Sequence, residues 1–243
     1  MNWVGKNLFN SNDRYRNHHK LVVYRHYIVY FINSTKHIDD IPPVLRKSMI
    51  NDNFEPDVVF LVDDWKFPAH KNVLKISNES FYIQHIEPYE NQQEIVIEGV
   101  NSRGFQQFLR FCQFGDVNLN KLNMMQSYDV SVTYHHSILA AICSNFICEN
   151  IDKTNVLEVL DWNLKHQNYN ILRICRLFFM DNAIEILNDS ESFVSISKKL
   201  LKIILSWDVL NCSEKLLFDQ TMKWAEQKCI EAKLERNTAS MKN

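Results

Sequence analysis

Between two acidic clusters the chain runs without interruption through apolar residues, Asp57-Val-Val-Phe-Leu-Val62, and then meets Asp63-Asp64. An apolar run this short, bounded by turn residues, predicts a buried strand, with the aspartates supplying turn chemistry. Trp65 and Phe67 alternate with Lys66 as a second strand, which Pro68 is expected to end because proline brings no N–H to a ladder. From 69 to 76 the spacing turns helical, with Ala69, Val73 and Ile76 on one face. A short helix over 80–86 and a strand at Glu94-Ile-Val-Ile-Glu98 follow. Ser102 then caps a helix whose Phe105, Phe108, Leu109 and Cys112 form one stripe, and Gly115 stands near its C-cap. Two more helices are predicted over 121–130 and 136–147, the second with Ile138, Ala141, Ile142, Asn145 and Phe146 on one face. Upstream, Asp39 and Asp40 are good caps, Pro42 suits a first turn, and Ile41, Val44, Leu45 and Met49 repeat at helical spacing.

Beyond Thr154 strand-like alternation stops. Thr154 can cap a helix carrying Leu157, Leu160 and Leu164, and Ile171, Cys175, Phe178, Phe179 and Ile186 mark a longer one reaching about Leu187. Leu201 and Ile204 belong to a helix over 198–205, and Ser213-Glu214 opens a last one through Phe218, Met222, Ala225 and Cys229. The expected fold class is therefore α+β, a small sheet of three or four strands flanked by helices over 40–148, followed by an all-α bundle over 152–234. Residues 235–243 read as a frayed polar tail and 1–39 as an N-terminal extension. Within that extension Arg14, Arg16 and Lys20 precede Leu21-Val-Val-Tyr-Arg-His-Tyr-Ile-Val-Tyr-Phe-Ile32, which mimics a signal peptide. Arg25 and His26 interrupt it, no small-residue cleavage site follows, and it is too short for a span. An extra strand, an interfacial segment and a spurious extension of the reading frame remain as readings.

Composition narrows the function classes. The 243 residues carry a net charge of −2, so no basic excess favours a phosphate backbone, and nucleic acid is not an expected partner. The six cysteines are scattered through apolar helical patterns without paired spacing, as buried free thiols of a reducing compartment would be. Only four glycines occur, at 5, 99, 104 and 115, which leaves no glycine-rich phosphate loop. His135-His136 with Cys143 and Cys148 lacks the tight spacing of a zinc site, and His70 reads as a brace at a helix start. No nucleophile elbow or acid–base carboxylate pair is legible, so neither a catalytic residue nor a cofactor is expected.

Strand, tight turn, strand and a helix opening at Ala69-His-Lys71 resemble the start of a BTB/POZ domain. Further pieces of the resemblance are Phe67-Pro-Ala-His-Lys71, Val73-Leu74, Phe81-Tyr82, Glu94-Ile-Val-Ile97, Phe105-Gln-Gln-Phe-Leu-Arg-Phe111 and Cys143-Ser-Asn-Phe-Ile147. Phe114-Gly-Asp-Val-Asn-Leu119 fits the turn and short strand expected there. Asn155-Val-Leu-Glu-Val-Leu160 is similar to the first helix of a BACK domain, and Glu191-Ser-Phe193, Leu210-Asn211 and Trp224-Ala-Glu226 resemble its later part. The order of these pieces resembles the BTB–BACK–PHR (BTBD-type) Cullin-3 adaptors, without a recognisable PHR, Kelch or MATH segment.

The resemblance implies a protein–protein interaction module, not an enzyme, acting in the cytoplasm or also the nucleus. It implies a two-fold homodimer, or a dimer with another BTB protein, built on Ile41, Val44, Leu45 and Met49 with Asp57 and Lys71 as a charged pair. It also implies a substrate adaptor of a Cullin-3 RING ubiquitin ligase, its substrate protein unidentified. Phe81, Tyr82, His85, Tyr89 and Glu90 would line the cullin contact, joined by Leu157 and Leu160. The chain departs from the family at this contact. Gln84-His85 stands where Met-Phe is usual, and Tyr89-Glu90-Asn91 where hydrophobic-x-Glu is expected. An apolar anchor exchanged for Gln or His forfeits about 1.5–3 kcal/mol of burial, tenfold or more in affinity. The contrasting reading is a BTB–BACK scaffold or dominant-negative dimer partner that engages no cullin. A third, weaker reading makes 1–39 a membrane-surface segment.

Overall fold

The computed structural model describes residues 55–231, which divide into two compact units at 117/118. The extension 1–39, the helix positions Ile41, Val44, Leu45 and Met49, and the tail 235–243 lie outside the described residues.

In the first unit β1 (Val58–Val62) pairs antiparallel with β2 (Trp65–Ala69) and parallel with β3 (Glu94–Val96), giving the order β2-β1-β3. The apolar run of β1 is only half covered: Val58, Phe60 and Val62 are buried, while Val59 and Leu61 on the opposite face are partly open. Asp63 turns the hairpin in the left-handed region at φ 51°, which aspartate tolerates better than most residues. Contrary to expectation, Pro68 does not end β2, which runs on through Ala69. The reason is position: β2 is an edge strand, where a missing N–H is tolerated. Ala69 consequently belongs to the strand and not to the helical face with Val73 and Ile76.

Helices α1 (Lys71–Ser77) and α2 (Glu79–His85) follow, then a 3₁₀ turn (Glu87–Tyr89), β3 and α3 (Ser102–Phe114). The cap of α3 is Asn101, one residue before the expected Ser102; its side chain accepts from the Arg103 amide, while the Ser102 amide donates to Asp63. The predicted stripe is the core, because Phe105, Phe108, Leu109 and Cys112 are all buried. Phe105 sits 5.6 Å from Phe60, 5.7 Å from Phe67 and 6.0 Å from Phe108 between ring centroids, a cluster that joins sheet to helix. Gly115 ends α3 at φ 73°, as its place near the C-cap suggested. Among the described residues the short strand expected by 119 finds no ladder partner: the Arg110 guanidinium grips Asp116 at 2.8 and 3.0 Å, and 116–120 runs as irregular chain.

The second unit is helical: α4 (Met124–Thr133), α5 (Ser137–Glu149), α6 (Val156–His166), α7 (Tyr169–Asp181), α8 (Ala183–Asn188), α9 (Ser190–Ser195), α10 (Lys198–Leu205) and α11 (Glu214–Glu231). Three sequence expectations need correction here. On α5 the buried residues are Leu139, Cys143, Ser144 and Ile147, and Ile138 of the expected face is 54% exposed. That helix is apolar on two sides, so periodicity alone cannot choose which one packs. The single long helix expected to reach Leu187 is two, because Asn182 turns its side-chain amide onto the Phe178 carbonyl and closes α7. On α11 the Trp224 indole donates to Ile196 O at 2.9 Å and Gln220 is buried, which rotates Phe218 out to 64% exposure.

Polar side-chain links run through this unit. Asp129 of α4 accepts from the Trp162 indole at 3.0 Å and lies 2.5 Å from His166 Nε2, both on α6. Asn168 caps α7 with its carbonyl oxygen and donates from its amide to Tyr128 and Ser144. Before α6, Asp152 accepts from the Thr154 and Asn155 amides and pairs with Lys121. Bonds from Lys121 and Thr154 pull the Asp152 carboxyl from an ordinary 3.8 down to about 2. A depressed carboxylate stabilises the fold above its unfolded value and loses that contribution as pH falls through the folded one. Unfolding profiles should therefore show a loss of stability between about pH 4 and 2 that is smaller in Asp152→Asn, a difference read from midpoints at pH 7 and pH 2.5.

Candidate interaction surface

The sequence-named contact residues cluster around α2, and the structure divides them by orientation. Asn78 caps the helix, its side chain accepting from the Phe81 amide at 3.0 Å. Phe81 and Tyr82 point inward: Phe81 lies 5.7 Å from Phe60 and 5.1 Å from Phe108, and the Lys75 ammonium sits 4.9 Å over the Tyr82 ring. Neither presents its side chain to a partner; they form the base on which the outer face rests. Leu157 and Leu160 are likewise interior residues, in the second unit. What α2 offers outward is Ile83, half exposed, and Gln84, whose amide donates to Ser80. His85 is half buried with its ring 5.0 Å from that of Phe81, and burial lowers its pKa below the ordinary histidine value.

The chain then turns through Pro88 and leaves Tyr89 47% exposed beside an exposed Glu90. Ile83, Gln84, Tyr89 and Glu90 thus are the accessible residues of α2 and the turn after it, an apolar–polar mixture. Ile83 was missed in the sequence because it falls more than half a turn from Phe81, off the buried stripe. Its phase was the available signal, since an apolar residue out of register with a buried stripe faces outward.

Asp57 and Lys71 do come together, though through the backbone. The Lys71 amide donates to Asp57 Oδ1 at 2.8 Å, a carboxylate bond at the helix start where the partial positive charge of free N–H groups favours an acid. His70 holds the N-cap with extended backbone and makes no side-chain cap bond. The Lys71 ammonium reaches elsewhere, to the carbonyls of Glu90 and Gln92.

The groups weighed as metal ligands stay apart in role. His136 accepts from the Leu139 amide at the start of α5, and Cys143 is fully buried. Among the described residues no three His, Cys, Asp or Glu side chains converge on a common centre that could hold a metal ion. All six cysteines are free, and burial pushes the Cys112, Cys143 and Cys175 thiols up to about 12, far from thiolate chemistry at neutral pH. No helix of the described residues is long and apolar enough to cross a membrane.

Residues 47–151 match the BTB/POZ domain family, a stretch that runs across the boundary between the two compact units. Kelch-like protein 24 of Rattus norvegicus is 22% identical over 80% of this chain and 32% of its own length. BTB/POZ domain-containing protein 6 of Mus musculus is 26% identical over 77% of this chain and 36% of its own length. The chain thus spans about a third of the length of the curated relatives it matches. The solved BTB domain of human gigaxonin is similar over 46% of this chain and 95% of its own, at 16% identity and a TM-score of 0.38. Residues 47–151 are a BTB/POZ domain, and a helical region follows it in a chain similar to the Kelch-like and BTB/POZ domain-containing proteins.

Proposed function

We propose that the chain is a dimeric BTB–BACK interaction module that docks on Cullin-3 as a substrate adaptor of a RING ubiquitin ligase, with no catalytic residue of its own. In this reading 40–148 is the BTB domain and 152–234 the BACK domain, and the molecule works in the cytoplasm. Dimerisation falls to Ile41, Val44, Leu45 and Met49, with Asp57 and Lys71 nearby.

The observation that carries the reading is the exposed edge Ile83, Gln84, Tyr89 and Glu90 inside the matched BTB stretch, with Phe81 and Tyr82 buried on the same α2. Buried Phe81 and Tyr82 support that surface from below and His85 borders it. Exposed apolar side chains ringed by polar ones suit a contact surface better than scattered solvent-facing residues do. A second reading is favoured by Gln84. An exposed amide bonded to Ser80 fills the place of an apolar anchor, and it would suit a BTB–BACK scaffold that tethers partners without a cullin.

Direct binding of the purified chain to the Cullin-3 N-terminal region separates the two. Gln84→Met with His85→Phe restores two apolar anchors and should tighten binding about tenfold or more. A wild-type Kd weaker than about 100 μM, about −5.5 kcal/mol, favours the scaffold. No gain from the restored pair, with dimerisation intact, removes α2 from the contact.

A further inference from the structure

Lys71 is the first residue of α1, and its side chain crosses to the loop that precedes β3. There Nζ donates to Glu90 O at 2.5 Å and to Gln92 O at 3.2 Å. The neighbouring ties in this stretch are backbone bonds. Tyr89 N donates to Ile86 O, Gln92 N donates to Tyr89 O at 2.8 Å, and Gln93 O accepts from Val59 N at 2.7 Å. Residues 89–93 are all exposed, and the loop has no core residue of its own to hold it. Two carbonyl oxygens turned towards one point repel each other unless a cation or a donor lies between them. An ammonium with three donors satisfies both at once. At the other end of the side chain, the Asp57 carboxylate fixes the Lys71 backbone amide, so the lysine starts from an anchored point.

We propose that Lys71 is a positioning residue that sets the loop 89–93, and with it the Tyr89 and Glu90 side chains, in the arrangement a protein partner meets. The proposal rests on the reading of this edge as a partner contact. It gives Lys71 a task within its own subunit, separate from any part in a dimer pocket. A loop fixed beforehand loses less conformational freedom on binding, so the gain appears as affinity without a new contact. Asp57 acts at one remove, through the lysine backbone.

The test compares Lys71→Met, which keeps the aliphatic stem and removes the donors, with Lys71→Arg, which keeps charge and donors. Amide hydrogen exchange on the full chain reads peptides covering 86–93 and, as an internal control, 102–114 of α3. The expected result is exchange about three- to tenfold faster at the Tyr89 and Gln92 amides in Lys71→Met, unchanged exchange in α3, and partial recovery in Lys71→Arg. Affinity for the Cullin-3 N-terminal region should fall by a similar factor in Lys71→Met. Unchanged exchange at 86–93 overturns the proposal, and so does an equal rise in α3, which would make Lys71 a general stabiliser. If loop exchange rises as expected while the wild-type chain binds no Cullin-3, the positioning role stands and the cullin reading falls.

Discussion

Phe105→Ala is expected to cost about 3–5 kcal/mol, a large part of what holds a domain of this size folded. The side chain is fully buried and touches both layers of its unit, with Phe60 and Phe67 on the strands and Phe81 and Phe108 on the helices. Truncation removes the transfer free energy of a ring and leaves a cavity lined by other rings. Those rings are fixed by one another and have little room to collapse inward. Edge-to-face contacts to Phe60 and Phe67 are lost as well, each about 0.5–1.5 kcal/mol. Because the alanine variant can fall below the threshold for folding, Phe105→Leu is the companion measurement, with an expected loss of about 1–2 kcal/mol. Urea unfolding followed by far-UV circular dichroism gives both values. A loss under about 1 kcal/mol for the alanine variant would mean that the cluster repacks, and that its aromatic geometry does not hold sheet to helix.

The second large effect is expected at Asp129. One carboxylate serves two partners on α6, the Trp162 indole at 3.0 Å and His166 Nε2 at 2.5 Å. Tyr128 stands edge-on to both rings at 5.2 Å, so the acid closes a small aromatic box between α4 and α6. Asp129→Ala strands the indole N–H and takes the carboxylate away from the His166 ring, whose side chain is only 8% exposed. Stranding a buried partner costs more than the bond itself was worth. Asp129 is about one-third open to water, which screens part of the interaction, so about 2–3 kcal/mol is expected for alanine. Asparagine, which can still accept from the indole, should cost about half as much. A double-mutant cycle with His166→Gln measures the coupling directly. Additivity within about 0.5 kcal/mol would show that Asp129 and His166 stabilise the unit independently, against the geometry.

Much of the fold was legible before any coordinates. The run from Val58 to Val62 reads as a strand, because it is short, rich in β-branched residues and bounded by aspartates that turn the chain. The α3 stripe was equally plain, since Phe105, Phe108, Leu109 and Cys112 repeat at helical spacing against polar neighbours, and Gly115 supplies the left-handed stop. Such features are local: side-chain period, caps and turn residues act within a few positions and do not wait for the rest of the chain. Tyr89 and Glu90 were named through the resemblance carried by Phe81-Tyr82, and the structure leaves both exposed.

What the sequence left open was settled by contacts distant along the chain. Pro68 stays inside a strand because β2 has a free edge, a fact about neighbours and not about proline. Both faces of α5 are apolar enough to pack, and tertiary structure buried Leu139, Cys143 and Ile147 in place of Ile138. The Trp224 indole sought the Ile196 carbonyl across 28 positions, and that bond turned Phe218 outward. Lys71 was expected to pair with Asp57, but an acid that already holds the helix-start amide leaves the ammonium free to reach the Glu90 and Gln92 carbonyls. Sequence alone determined the elements and their order through local periodicity. Tertiary structure decided which faces are buried and which polar groups meet, because burial and hydrogen-bond satisfaction are settled among partners far apart in the chain.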